Sequence, residues 1–439
     1  MTNLSTEEVV DISTRHTYGT WRAQKSWKPM HVVDAEGCTF TNAAGKTFLD
    51  FSSQLMCSSL GHKNQAVIDA ICEQAKTLPY IGPGFTTTAR AELSKLLLEV
   101  LPEGMERFFF TTSGTEANEA AFRIARLFTG KHKIISRYNS YHGSTAGALA
   151  ATGDVRRWQA EPSGVIDGVI FAPECNPYRS NLSGAQSADY IEYMIENEGN
   201  VAAVIVEPIV GTNGVLIPPP DYLPRLREIT KKHGVLLIAD EVMTGWGRTG
   251  SWFAVDHWDV KPDILVTAKG ITGAYVPLGL CATTKEIADH FEENFFPLGH
   301  TYEAHPLTLA PAVAAINELK KHGLVERAAE MGKVLGGKLE KLKENHPSVG
   351  DVRGKGLFWA VEIVRDREKK TKFNSWQDKL EGKPYTIEKV CAAMMKQGVF
   401  MMGWQNHLLI APPLIVTEEQ MDQGVAAIDE ALKIADSEL

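Results

Sequence analysis

Five short runs of aliphatic, β-branched or aromatic residues constrain the fold of this chain more than any other feature. They lie at residues 107–111, 133–136, 201–206, 235–239 and 263–267. Helical patterns separate them, with apolar residues at three- and four-residue spacing. Near-continuous apolar strands that alternate with helices are typical of a mostly parallel sheet covered on both faces. The sequence therefore predicts a large α/β domain, and ligands of such a sheet bind beyond the carboxyl ends of its strands.

The character of the sequence changes after about residue 305. Long helices rich in Ala, Leu, Lys and Glu (307–343) lead into an α+β tail, and the first fifty residues read as short strands and turns. We therefore expect residues 51–305 to form the large domain. Residues 1–50 and 306–439 are expected to form a smaller α+β domain from both ends of the chain.

The bulk composition of the 439 residues is that of a soluble globular protein, with 44% hydrophobic and 23% charged residues. The net charge of −9 argues against nucleic acid or an anionic membrane as the main partner, because no global basic field attracts either. The six cysteines have no metal-binding spacing, so no metal site is predicted. We see no signal peptide and no membrane-spanning run, and therefore expect a cytoplasmic protein.

The segment TTSGTEAN (residues 111–118) joins the first strand run to an Ala-rich helix. Ser113 and Glu116 have capping-box spacing. The unpaired N–H groups and the positive dipole end at such a helix start suit a phosphate. No Walker lysine follows, which excludes a P-loop. Taken alone, the segment is better explained as a simple helix cap without a ligand.

Asp240 and Lys269 each follow a buried strand run. A carboxylate at the position of Asp240 can keep a pyridine nitrogen protonated, which makes the ring an electron sink. The alternative is that Asp240 caps the next turn. Lys269 has small neighbours, and partial desolvation there lowers the pKa of a Schiff-base lysine and frees its amine for attack. The alternative is a structural lysine whose ammonium reaches solvent.

Two further strand ends carry candidate groups. Tyr141, followed by His142, can stack on a cofactor ring, and Glu207 can supply a supporting carboxylate. The alternatives are that Tyr141 is a core aromatic, His142 a polar core residue and Glu207 a turn residue. Residues 245–250 match the GxGxxG dinucleotide pattern, but no helix pattern starts after them, so we interpret them as a tight turn.

Together these strand ends supply the phosphate cradle, stacking ring, pyridinium partner and imine lysine that pyridoxal 5′-phosphate (PLP) needs. The order of the motifs resembles that of the class III aminotransferases, and in particular the amine–pyruvate or ω-transaminases. The motifs are residues 113–117, 141–143, 207–208, 239–250, 262–263 with Lys269, 300–302 and 353–357. The resemblance extends from about residue 35 to the C-terminus.

The resemblance implies the PLP fold-type I architecture and a homodimer, or a dimer of dimers, with shared active sites. It also implies a role for each candidate. Lys269 carries the cofactor as a Schiff base, Asp240 binds its pyridine nitrogen, Gly114 and Thr115 bind the phosphate, Tyr141 and Val242 enclose the ring with Glu207 nearby, and Thr301 reaches the phosphate of the neighbouring subunit.

The chain departs from relatives that use dicarboxylic substrates. Ser144, Leu409 and Met402 stand where such relatives and the amine–pyruvate members place arginines, and Met243 replaces a glutamine. Arg22, Arg156, Arg157 and Arg248 remain as candidates to bind a substrate carboxylate, and the sequence does not choose among them.

We therefore expect a transaminase that moves an amino group from an amine or ω-amino acid to a small 2-oxo acid, pyruvate, in two half-reactions. A PLP-dependent aminomutase or decarboxylase is the alternative within the same fold. A non-catalytic oligomeric protein that retains the fold is the alternative outside catalysis.

Overall fold

The computed structural model describes residues 4–439. Its helices are α1 (Thr6–His16), α2 (Ser53–Met56), α3 (Gln65–Thr77), α4 (Thr88–Val100), α5 (Gly114–Thr129), α6 (Ala146–Ala151), α7 (Val155–Ala160), α8 (Gly184–Glu198), α9 (Tyr222–His233), α10 (Lys285–Glu293), α11 (Pro306–Lys321), α12 (Leu324–Asn345), α13 (Trp376–Leu380), α14 (Thr386–Lys396) and α15 (Glu418–Asp436). Its strands are β1 (Val32–Glu36), β2 (Thr39–Asn42), β3 (Thr47–Asp50), β4 (Met105–Thr111), β5 (Lys133–Arg137), β6 (Val169–Ala172), β7 (Val201–Val206), β8 (Leu236–Asp240), β9 (Ile264–Thr267), β10 (Gly279–Thr284), β11 (Val349–Lys355), β12 (Phe358–Asp366), β13 (Thr371–Lys372), β14 (Val399–Phe400), β15 (Met402–Trp404) and β16 (His407–Ile410).

A seven-stranded sheet with the order β4-β10-β9-β8-β7-β5-β6 forms the centre of the molecule. Strands β5 to β9 run parallel, and β10 is antiparallel to both of its neighbours. The five apolar runs of the sequence correspond to β4, β5, β7, β8 and β9. The prediction of a mostly parallel sheet is confirmed.

Helices cover both faces of this sheet. Ala203 and Ile205 of β7 pack in one core with α5, while Val204 and Val206 pack in another core with α8 and α9. Successive side chains of a strand point to opposite faces, so β7 serves both cores and every one of its residues is buried.

Helix α5 begins at Gly114, as its sequence indicates, but its capping box is only half formed. The Glu116 N–H donates to the Ser113 hydroxyl at 3.4 Å. The Glu116 carboxylate accepts from the N–H and hydroxyl of Thr112, at 2.8 and 2.6 Å, rather than from the N–H of Ser113. The N–H groups of Ser113, Gly114 and Thr115 are therefore left to other partners.

Both ends of the chain meet in a second sheet, in which β14 pairs in parallel with β3 in the order β1-β2-β3-β14. A third sheet contains β11, β12, β16 and β15, with β13 beside β12. The pairing of β3 with β14 supports a domain made from both chain ends, and its boundaries stay a prediction. Among the described residues, no helix has the length and apolarity required to cross a bilayer.

The expectation of only strands and turns in the first fifty residues is wrong, because α1 occupies Thr6–His16. A complete capping box of Ser5 and Glu8 starts this helix. None of its residues is buried. The helix therefore places no residue in the core of the described chain.

Candidate active site

A cavity of about 540 Å³ lies at the carboxyl ends of the parallel strands. The segments that follow β4, β5, β7, β8 and β9 all contribute to its wall. It is lined by seven of the eight predicted site residues, which are Gly114, Thr115, Tyr141, Glu207, Asp240, Val242 and Lys269. Thr301 is exposed and does not line this cavity. The site thus forms where a sheet of this type collects the loops of neighbouring strands.

Asp240 is held in one orientation by three donors. Its Oδ2 accepts from Asn118 Nδ2 at 2.9 Å and lies 2.7 Å from His142 Nδ1, and its Oδ1 accepts from the Val242 N–H at 3.1 Å. The carboxylate is 4% exposed. The bond from the Val242 N–H is the turn cap of the alternative interpretation, and a buried, oriented carboxylate also suits a protonated ring nitrogen.

Lys269 follows β9, begins a short 3₁₀ turn and has a φ of +47°. In the described chain it is the one lysine that lines the cavity. Burial lowers the pKa of its ammonium group, while the carboxylates of Asp240 and Glu207 raise it. A lysine with a depressed pKa has a larger neutral fraction, and the neutral amine is the nucleophile.

The backbone at the first turn of α5 packs closely against neighbouring segments of the chain. A Cβ at Gly114 would lie 2.9 Å from Val242 Cγ2, so a larger residue would displace the Val242 side chain. At Gly143, which has a φ of +139°, a Cβ would lie 2.1 Å from Thr115 Oγ1. Thr115 Oγ1 accepts from the N–H groups of Ser144 and Thr145, each at 3.2 Å, so the hydroxyl ties this loop to the helix start.

Glu207 fixes the backbone around Tyr141. Its two carboxylate oxygens accept from the N–H groups of Tyr141 at 3.0 Å and Gly211 at 2.8 Å. Burial raises the pKa of Glu207, and the nearby charge of Asp240 acts in the same direction. Glu207 therefore positions the Tyr141 ring through the Tyr141 backbone. This agrees with the interpretation of Glu207 as a supporting carboxylate.

The four candidate arginines differ clearly in their surroundings. Arg248 is fully buried, donates to the Leu357 and Pro412 carbonyls, and lies outside the cavity lining. Burial lowers its pKa to about 10. Arg22 is exposed, and Arg157 stacks on Phe171 with 3.8 Å between the guanidinium carbon and the ring centroid.

Arg156 does not itself line the cavity, but of the four candidates it alone stacks on a ring that does. Its guanidinium carbon lies 3.8 Å from the centroid of the Tyr141 ring, and its charge acts on the pKa of Lys269.

Arg248 belongs to residues 245–250, which form a turn packed around the fully buried Trp246. The interpretation of these residues as a tight turn is confirmed.

Asn118 and Cys57 are among the residues of the cavity wall that sequence reasoning missed. Asn118 lies four residues after Gly114 on α5, and positions i and i+4 share a helix face. That spacing was the available signal for Asn118. Cys57 follows the distorted turn α2, where Gln54 has a φ of +57°, and no local pattern announces such a turn.

The cavity fits a phosphorylated pyridine such as PLP. Two buried polar atoms in its wall, Asn118 Oδ1 and His142 Nε2, have no hydrogen-bond partner. The start of α5 offers N–H groups for a phosphate, while Asp240 can face a ring nitrogen and Lys269 a carbonyl carbon. The volume of about 540 Å³ lies within the usual range for cofactor sites.

Comparison with known proteins identifies the family. Residues 22–432 match the family model of class III aminotransferases, to which this chain belongs. The uncharacterized aminotransferase YhxA of Bacillus subtilis is 36% identical over 94% of each chain, and the taurine–pyruvate aminotransferase of Bilophila wadsworthia is 33% identical over 97% of this chain and 96% of its own. The structure of the taurine:2-oxoglutarate aminotransferase of Bifidobacterium kashiwanohense, in complex with PLP and glutamate, covers all of both chains with 36% identity and a TM-score of 0.96.

The protein is therefore a PLP-dependent aminotransferase of fold type I. This confirms the cofactor, the fold and the reaction class that the sequence predicts. The aminomutase and decarboxylase alternatives have less support, because the family and these three relatives are named as aminotransferases.

Proposed function

We propose that this enzyme moves an amino group from an amine or ω-amino acid to pyruvate in the cavity around Lys269. The observation that carries this proposal is the convergence of Lys269, Asp240 and the α5 start in one buried cavity. When bound, PLP supplies an electron sink for the bond at the substrate's α-carbon. Groups of the protein bind and orient the reactants and transfer protons.

In this proposal Lys269 holds the cofactor covalently between turnovers and then moves a proton as general base and acid. Its depressed pKa supports both tasks, because a catalytic amine works best when it titrates near the operating pH. Asp240 holds the ring nitrogen, and Gly114 and Thr115 hold the phosphate through their N–H groups. Tyr141 and Val242 enclose the ring, and Glu207 orients Tyr141.

Arg156 is our candidate for the acid group of the substrate. Its hydrogen bonds to Asp154 use Nε and Nη2, so Nη1 is left for a ligand. A single arginine suits a substrate with one carboxylate or sulfonate. The taurine–pyruvate relative is named for a donor and an acceptor of this type.

We expect pyruvate to be preferred over 2-oxoglutarate by about tenfold or more in kcat/KM. The second carboxylate of 2-oxoglutarate needs its own partner, and an unpaired charge in a partly dehydrated site costs several kcal/mol as an order of magnitude. Ser144, Leu409 and Met402 offer no positive charge to that second group, and Leu409 is fully buried. Steady-state kinetics with both acceptors and one common amine measure the ratio.

Variants connect this preference to Arg156. Arg156→Gln should raise KM for pyruvate about tenfold or more, because a charge-assisted hydrogen bond is lost. The exposed Arg22→Met is the matched control and should behave as wild type. A clear advantage for 2-oxoglutarate, the acceptor named for the Bifidobacterium relative, would contradict the proposal. Turnover without any added acceptor would point instead to an aminomutase or decarboxylase.

We further propose a cytoplasmic homodimer in which Thr301 completes the site of the partner subunit. An apolar surface next to Thr301 supports this proposal. Phe85, Phe295 and Tyr302 are 67%, 86% and 57% exposed. Their chain neighbours Gly84, Phe296 and Glu303 line a second cavity of about 730 Å³. Exposed apolar patches of this kind mark protein–protein interfaces.

Mixed dimers provide the test of a shared site. A Lys269→Ala subunit paired with a Thr301→Ala subunit carries both lesions in one site, so the other site is intact and activity returns on subunit exchange. We expect the mixture to exceed the sum of the two parent dimers in alanine formation. Proven exchange with strictly additive activity would mean that Thr301 acts within its own subunit.

A further inference from the structure

Three residues hold Arg156 in place. It lies in α7, whose N-cap Asp154 accepts from the Arg156 N–H at 2.9 Å and from Arg156 Nε at 3.0 and 3.1 Å. The Tyr141 ring covers the guanidinium carbon at 3.8 Å, and the Trp404 ring also covers it, at 4.6 Å. Only 6% of Arg156 is exposed. A side chain with this many contacts has lost the rotational freedom of an ordinary surface arginine.

Asn213 links two of the residues that contact Arg156, namely Asp154 and Trp404. Its Nδ2 donates to Asp154 Oδ2 at 2.9 Å, and its Oδ1 accepts from Trp404 Nε1 at 3.1 Å. Two of the three partners of the Arg156 guanidinium, Asp154 and Trp404, are thereby each fixed by a second partner. Asp154 and Asn213 are 2% and 5% exposed, so water does not compete for these bonds.

The loop that carries Asn213 is anchored in turn. Arg353 Nε donates to the Gly214 carbonyl at 2.7 Å, and Arg353 Nη1 donates to the buried Glu362 at 2.8 Å. Gly214 has a φ of +113°, and a Cβ there would lie 2.7 Å from the ring of His407. The loop therefore has little room to shift. This contact gives a structural role to Arg353, which is the first residue of the sequence motif 353–357.

We propose that Asp154, Asn213 and Trp404 are positioning residues that make Arg156 a rigid anion subsite. This inference rests on the proposed function, in which Arg156 binds the acid group of the substrate. Trp404 lies two residues after Met402 on β15, and residues two apart on a strand share a face. An aromatic ring on the same strand face as Met402 thus covers the Arg156 guanidinium.

A fixed guanidinium selects its substrates by length. The amino group must reach the cofactor while the acid group reaches Arg156, so only one spacing between them fits both points. A flexible arginine follows acid groups at several distances, but a caged one does not. The enzyme should therefore discriminate among ω-amino acids by the number of carbons between amine and acid.

The experiment is a chain-length series on the holoenzyme. The ω-amino acids from β-alanine to 6-aminohexanoate are compared with n-alkylamines of matched length, and pyruvate is the common acceptor. Each acid's kcat/KM is divided by that of its matched alkylamine. In the wild type we expect this ratio to peak at one length and to fall about tenfold or more at the neighbouring lengths.

Three variants test the positioning residues. Asn213→Leu and Trp404→Leu should flatten the profile to within about threefold, mainly through KM, because Arg156 then follows acids of different lengths. Trp404→Phe retains a stacking ring and should keep most of the peak. Tyr193→Leu, at an exposed aromatic of α8, is the matched control and should retain the wild-type profile. Cofactor absorbance and thermal unfolding verify that each variant folds.

Two outcomes separate this inference from the proposed function. If Arg156→Gln leaves the acid-to-amine ratio unchanged at every length, Arg156 is not the anion site and both proposals fail. If Arg156→Gln abolishes the ratio but Asn213→Leu and Trp404→Leu keep the sharp peak, the anion site stands and the rigid-subsite inference is overturned.

Discussion

Lys269→Ala is expected to lower turnover by about 10⁴-fold or more, because the variant loses both the covalent anchor of the cofactor and the proton carrier. In the described chain no second lysine lines the cavity to replace it. The loss should appear in kcat, measured as alanine formed from pyruvate at saturating donor. The variant should still bind PLP without a covalent bond, because Asp240 and the α5 start remain.

A surface lysine provides the control for this loss. Lys285 is exposed and pairs with Asp289 at 2.6 Å, so Lys285→Ala should retain wild-type turnover. Borohydride treatment followed by peptide mass analysis should find the cofactor fixed to Lys269 in the wild type. A cofactor mass on another lysine, or substantial transamination by purified Lys269→Ala, would contradict the assignment.

The central sheet and most of the site could be predicted because their signals are local. A buried strand needs an apolar run, and a residue just beyond it lies at the ligand-binding edge wherever the strand sits in the sheet. Asp240 ends β8 and Lys269 follows β9, and these strands are parallel neighbours in the sheet. Strand direction predicts the shared edge, and the strand order of the folded sheet brings the two residues into one cavity.

Other parts of the site depend on contacts between distant segments, which no local pattern encodes. The four candidate arginines look alike in the sequence, yet Arg248 donates to the Pro412 carbonyl 164 residues away and Arg156 is covered by Trp404. Asn213 meets Trp404 across 191 residues. Only the folded chain separates an arginine that braces the core from one that stacks on a ring of the cavity wall. Thr301 is a further case, because its proposed partner is another subunit.

Asp240→Asn is expected to lower kcat by about 10²–10³-fold while cofactor binding is retained. The reason lies in the hydrogen bonds of the carboxylate. Asp240 accepts through both oxygens, from Asn118 and His142 on one side and from the Val242 N–H on the other. An asparagine has one acceptor oxygen, and two donors on the Oδ2 side will hold it there. Its NH₂ group then meets the Val242 N–H, and the neutral amide supplies no charge that would keep a bound ring nitrogen protonated.

Asn118→Ala separates the charge of Asp240 from its orientation. This variant removes one donor but leaves the carboxylate, so its loss of kcat should stay below about tenfold. The pH at which the absorbance of the bound cofactor changes gives a second measurement, and it should shift in Asp240→Asn far more than in Asn118→Ala. Wild-type kcat in Asp240→Asn would mean that Asp240 only caps the turn. Equal losses in both variants would instead mean that the hydrogen-bond geometry around the carboxylate, and not its charge, determines the rate.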